Sequence, residues 1–168
     1  MEATIVHDDS PKNSTRTIAI CIDGSDFAQH ALEWAVKNLL KADTDNVVLL
    51  NVRPYEQDTL AVTSFGSVDY MESTYSQEVE KNEKKRSEDL LKNAVGFLKS
   101  CNPKFSIQAS ALIGDPREEI IIQADKIKAH IIVVGSRGMG AVQRALIGST
   151  SDHLTHHAHC PVIVVKEE

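Results

Sequence analysis

Gly135, Gly138, Gly148 and Ser149 carry the clearest chemical signal in the 168-residue sequence. Two residues separate Gly135 from Gly138, and nine separate Gly138 from Gly148. Without a Cβ, a glycine lets its backbone N–H come close to a ligand or take angles closed to other residues. Ser149, Thr150 and Ser151 add three hydroxyls at the start of a segment that reads as helical to about Ala158. A helix start presents N–H groups without internal partners and carries roughly +0.5 of an elementary charge. These are the parts of a phosphate-binding turn. Arg137 sits in the same loop, where its side chain can reach phosphate or point to solvent. The competing reading is an ordinary glycine-rich turn between strand and helix, with Ser149 as its N-cap. The spacing is not a Walker A loop, which would end in Gly-Lys-Ser/Thr, and it does not fit the dinucleotide fingerprint.

Other reactive side chains form weaker patterns. His153, His156, His157, His159 and Cys160 crowd together, and His153 and His157 share a helix face. Two such ligands can start a zinc site, but a tetrahedral site needs three or four that converge. The plainer reading is a set of histidines favoured near a helix C-terminus by its dipole. Ser136 and Ser149 have no evident His base, so no activated nucleophile can be assembled from the sequence. Any hydrolysis is expected to be slow. Cys21 and Cys160 lie in apolar strands and read as buried thiols, whereas Cys101 reads as exposed.

The elements that must position the glycines follow from the apolar runs. Residues 131–134 are Ile-Ile-Val-Val and run straight into Gly135. No polar residue alternates with them, as expected for a strand buried on both faces of a parallel sheet. Residues 17–22 and 46–52 read the same way. Residues 105–112 alternate, which predicts a sheet edge, and residues 160–165 form a fifth strand. Helices are predicted over residues 26–41, 71–100, 117–129 and 149–158, with 141–147 short and amphipathic. Ser25 or Asp26 can cap the first, and Asp115-Pro116 fits the start of the third. Residues 1–16 read as a disordered arm. Residues 53–70 are aperiodic and polar, which predicts a mobile loop over the sheet. The β-α alternation implies a doubly wound, Rossmann-like α/β domain over residues 17–168. Ligands of such sheets bind at the carboxyl ends of strands where the winding reverses. The Asp23-Gly24-Ser25 turn and the Gly135 loop both lie at such ends.

Composition narrows the function. A net charge of −6 and the lack of basic runs argue against nucleic-acid binding. No segment is long and apolar enough to cross a bilayer, and residues 1–15 read as polar, without the apolar core expected of a signal peptide. Three cysteines, far apart, make no disulfide framework, so a cytoplasmic setting is expected.

The full spacing of Gly135, Gly138, Gly148 and Ser149 resembles the G-x2-G-x9-G-S/T motif of the universal stress proteins, in their ATP-binding subclass. Ile20-Cys21-Ile22-Asp23-Gly24-Ser25 resembles the family's opening strand and acidic turn, and Leu49-Leu50-Asn51-Val52 its second strand. Gly114-Asp115-Pro116 resembles the turn into its third helix, and His157-Ala158-His159-Cys160-Pro161-Val162 its closing junction. The resemblance implies an open five-stranded parallel sheet of order 3-2-1-4-5 with helices on both faces, of the adenine nucleotide alpha hydrolase-like kind. It implies an adenine nucleotide, ATP or else AMP or ADP, with Mg²⁺ accompanying ATP. Asp23 would contact adenosine and Val52 would contact adenine through its backbone, with Ala19, Ile20 and Cys21 beneath. Gly114, Gly135, Arg137, Gly138, Gly148, Ser149, Thr150 and Ser151 complete the implied site. It also implies a homodimer paired through the last strand, Val162–Val165. Cys21 departs from the small or proline residue familiar at its place. The implied function is a nucleotide-dependent stress-response or signalling module. Two alternatives stand beside it: a slow ATPase or nucleotidyl-transfer enzyme, and an interaction protein that binds no nucleotide.

Overall fold

A computed structural model describes residues 3–6, 16–54, 71–138 and 147–166, with backbone alone for 3–6 and 71–77. In chain order the elements are β1 (Ala3–Val6), β2 (Arg16–Cys21), α1 (Asp26–Asn38), β3 (Asp45–Arg53), α2 (Met71–Cys101), β4 (Ser106–Ile113), α3 (Pro116–Lys126), β5 (Ile131–Gly135), α4 (Ser149–His157) and β6 (Val162–Val165). The strands form one sheet in the order β1-β4-β3-β2-β5-β6. All neighbours are parallel except β1, which runs antiparallel to β4. The five parallel strands, counted along the chain, therefore lie in the order 3-2-1-4-5.

Each central strand feeds two cores because its side chains alternate. Ile18, Ile20 and Ile22 join Val47 and Leu49 against Ala31, Leu32 and Ala35 of α1 and Leu91, Ala94 and Leu98 of α2. Ala19 and Cys21 join Val48, Leu50, Ile132 and Val134 against Ile120 and Ala124 of α3 and Leu154 of α4. The unbroken apolar runs are thus explained by helices on both faces. From β2 the chain builds outward through β3 and β4, then returns to β5 on the other side of β2. The reversal leaves a crevice at the carboxyl ends of β2 and β5.

Two expectations are corrected. Residues 1–16 do not behave wholly as a loose arm: Ala3–Val6 pairs with β4, with Ala3 opposite Ala111 and Val6 opposite Gln108. Arg16 already belongs to β2. Its guanidinium makes two hydrogen bonds to the fully buried Asp45 carboxylate, at 2.9 and 2.7 Å, and a third to the Leu39 carbonyl. The 105–112 strand consequently lies inside the sheet. Its alternation arises because Ser106 and Ser110 are small polar residues that are themselves buried. The predicted loop at 53–70 falls outside the described residues beyond Pro54, as does the 141–147 segment up to residue 146.

Candidate functional site

The crevice opens into a cleft of about 500 Å³. Its apolar lining comes from strand ends and from α3: Cys21 at the end of β2 and Ile22 after it, Leu50 and Val52 of β3, Val134 of β5, and Pro116 and Ile120. Its polar rim consists of Asp23, Arg137, Gly138 and the start of α4 from Gly148 to Ser151. An apolar floor beside a few converging polar groups is the form of a small-molecule site.

The Asp23 turn is built locally. Gly24 has φ +82°, which a glycine adopts without strain. Asp23 Oδ1 accepts hydrogen bonds from the Ser25 N–H at 3.0 Å and the Ser25 hydroxyl at 2.6 Å. Ser25 Oγ in turn accepts from Ala28 N–H at 3.2 Å and caps α1. One carboxylate thus faces the cleft and also anchors a helix start. Burial, with a smaller contribution from the Asp23 charge, pushes the Cys21 thiol up to about 12, so it stays protonated at neutral pH.

Across the crevice the glycines have distinct roles. A Cβ on Gly138 would lie 2.5 Å from Asp23 Oδ2, so the two loops meet where a side chain at 138 would intrude. A Cβ on Gly135 would lie 2.8 Å from the Phe27 carbonyl carbon and oxygen. Gly135 lines the cleft, yet its missing side chain is what lets the first turn of α1 pack on β5. Gly148 N–H donates to the Ser136 carbonyl at 2.7 Å, closing the ends of the loop on each other. Arg137 lays its guanidinium over the Phe27 ring, 5.4 Å from the centroid. That placement keeps the cation at the lip of the cleft.

The start of α4 differs from the expectation. Its N-cap is Gly148, with no side-chain hydrogen bond, and Ser149 is the first helical residue. Ser151 Oγ instead bonds the carbonyls of Gly148 and Ser136, at 2.9 and 3.2 Å. Among the described residues no side chain caps the first N–H groups of α4, whereas the starts of α1 and α3 are capped by Ser25 and Asp115. At α3 the Arg117 side chain and backbone N–H hold the Asp115 carboxyl down at about 2.

Of the residues singled out in the sequence, Cys21, Asp23, Val52, Gly135, Arg137, Gly138, Gly148, Ser149, Thr150 and Ser151 line the cleft together. Ala19, Ile20 and Gly114 do not. Ala19 and Ile20 are wholly buried two and one residues before the floor begins, and Ile20 faces the opposite core. Gly114, with φ +150°, donates its N–H to the Arg53 carbonyl at 2.9 Å and sets the turn that delivers Pro116. Sequence reasoning missed Ile22, Ala28, Leu50, Pro116, Ile120, Val134 and Ile147. Apart from Pro116, they are ordinary apolar residues, and only the folded arrangement of the strand ends, α1, α3 and the approach to α4 places them at the cleft. The histidines lie elsewhere: His153 and His157 stack with ring centroids 4.0 Å apart. Among the described residues no group of three or more His, Cys, Asp or Glu could hold a metal.

The model of the universal stress protein family matches residues 14–166. The chain belongs to that family. A universal stress protein of Methanocaldococcus jannaschii is 30% identical over 159 residues, covering 93% of this chain and 85% of that protein. Among solved structures, universal stress protein UspA from Lactobacillus plantarum superposes with a TM-score of 0.72 at 22% identity, covering 90% of this chain and 98% of that one. A family protein from Arabidopsis thaliana with AMP bound gives a TM-score of 0.63 at 20% identity, covering 91% and 92%. The five parallel strands and their helices described above are thus the family's fold. No helix among the described residues is long and apolar enough to cross a membrane.

Proposed function

We propose that this universal stress protein binds an adenine nucleotide in the cleft and acts as a nucleotide-dependent stress-response module. One observation carries the reading. Among the described residues the α4 start has no side-chain cap, and it opens onto a cleft whose floor is apolar and lies at the reversal of the sheet. Uncovered N–H groups with the helix dipole behind them suit phosphate oxygens. The floor of Cys21, Leu50, Val52 and Val134 suits a flat, apolar base. The Arabidopsis relative with AMP bound supports the same ligand class. Arg137 is the one basic residue lining the cleft among the described residues. A triphosphate there would therefore rely on Mg²⁺ to offset its charge, and ATP is expected to bind more tightly with the ion present.

The module is at most weakly hydrolytic. Asp23 is the one carboxylate lining the cleft among the described residues, and no histidine lines it. Asp23 also already accepts two hydrogen bonds from Ser25. Protein purified from cells and denatured by heat should release adenine nucleotide. Calorimetric titration of ATP into the emptied protein should show binding. The absence of both would favour an interaction protein without a ligand. Steady-state phosphate release at enzymatic rates would instead favour an ATPase.

The reading includes a homodimer. β6 pairs with β5 on one side, and Val162, Ile163 and Val164 are only half-buried. An apolar edge of this kind needs cover. Antiparallel pairing of Val162–Val165 with the same strand of a second copy would supply it.

A further inference from the structure

The β2–β3 ladder ends with the Ile22 N–H donating to the Leu50 carbonyl at 2.8 Å. In a parallel ladder the next rung would bring the Val52 N–H to the Ile22 carbonyl. The direction is fixed by the neighbouring residue: the Arg53 carbonyl accepts from Gly114 on the β4 side, so Val52 faces β2. At the Ile22 carbonyl, however, the donor is the Asn51 side chain, with Nδ2 at 2.6 Å. The other end of that amide is also held, because the Ser87 hydroxyl of α2 donates to Asn51 Oδ1. A carbonyl can only accept, so the amide has one orientation, with nitrogen toward Ile22 and oxygen toward Ser87. Asn51 and Ser87 are 6% and 4% exposed, in the layer between sheet and α2 behind the cleft. Buried polar atoms held this closely are costly to leave unpaired.

We propose that Asn51 and Ser87 are positioning residues of the candidate site. By capping the Ile22 carbonyl they end the β2–β3 ladder one rung early. The Val52 N–H is thereby left turned to the cleft that Val52 lines, as a donor for an acceptor on the edge of a purine ring. The same bond holds Ile22 just before Asp23, so α2 sets the adenosine end of the cleft from the far face of the sheet. The inference rests on the nucleotide reading for its ligand and on the strand geometry for the rest.

The test uses the full chain and two probes, adenosine and inorganic tripolyphosphate. The double variant Asn51→Leu/Ser87→Ala replaces both partners with apolar groups, a change that can be nearly neutral for folding. In wild-type protein without ligand, the Val52 amide should exchange hydrogen about tenfold faster than that of Leu50, and adenosine should slow it. In the double variant Val52 should regain the rung and exchange as slowly as Leu50. Adenosine affinity should fall about tenfold and tripolyphosphate affinity should hold. Ser87→Thr, which keeps the hydroxyl, should behave as wild type. A Val52 amide as protected as Leu50 in the wild type would overturn the proposal. So would equal loss of both probes in the double variant, or unchanged adenosine affinity. If wild-type protein binds neither probe, the nucleotide reading fails, and the exchange rates alone decide whether Asn51 interrupts the ladder.

Discussion

At the scale of single residues, the close approach of Gly138 to Asp23 makes it the most sensitive position in the cleft. Gly138→Val should displace the Asp23 carboxylate as well as crowd the phosphates, and should abolish measurable ATP binding by calorimetry. Ser149→Ala should lose one charge-assisted hydrogen bond, about 1–3 kcal/mol or roughly tenfold to a hundredfold in affinity. It should leave thermal stability unchanged, because Ser149 is not the cap. Equal ATP affinity in Gly138→Val and wild type would place the nucleotide elsewhere. Asp23→Ala should weaken adenosine binding, leave tripolyphosphate binding unchanged, and loosen the α1 start by about 1 kcal/mol through Ser25. Gly135→Ala should act on folding, costing about 1–3 kcal/mol in denaturant titration, because its methyl would meet the Phe27 backbone. The motif glycines were legible from their spacing alone. What spacing could not separate was their purpose, since close approach to a helix and close approach to a phosphate both require the missing Cβ.

Among the elements, β6 carries the proposed assembly. Light scattering at micromolar concentration should report a dimer, and Val164→Lys should yield a monomer with unchanged circular dichroism. A wild-type monomer, or a variant that remains dimeric, would count against pairing through β6. Strands and helices were legible because the apolar runs of β2, β3 and β5 and the capping residues Ser25 and Asp115 act locally. The position of β4 was not. Its small buried serines imitate the alternation of an exposed edge, and its cover, β1, lies about a hundred residues away in the chain. The α4 cap was misread by one residue for a related reason. A serine after a glycine looks like a cap, but Gly148 holds the loop closed through Ser136 and so takes that position itself.

For the molecule as a whole, the Arg16–Asp45 clasp gives stability a dependence on acid. Burial alone would raise the Asp45 carboxyl, but the hydrogen bonds from Arg16 and the Lys41 N–H outweigh it and hold it below the usual carboxylate range. A lowered native value means that the stabilisation is complete above the unfolded value of about 3.9 and is lost as pH falls through the native one. Urea midpoints should therefore drop below about pH 4, and Asp45→Asn should flatten that part of the drop. The same variant should cost about 3 kcal/mol at pH 7, because it removes the charge that Arg16 is paired with.

The sheet also has two unlike margins. Both end in four-residue strands: β1, laid antiparallel on β4, and β6, parallel to β5. A strand that short gives an incoming chain few rungs to add to, whereas β4, eight residues long, would give it more. Removing residues 1–6 would uncover that longer strand. On the β6 pairing proposed above, each pair of copies would then carry two long edges, and the truncated protein should lengthen with concentration into open filaments.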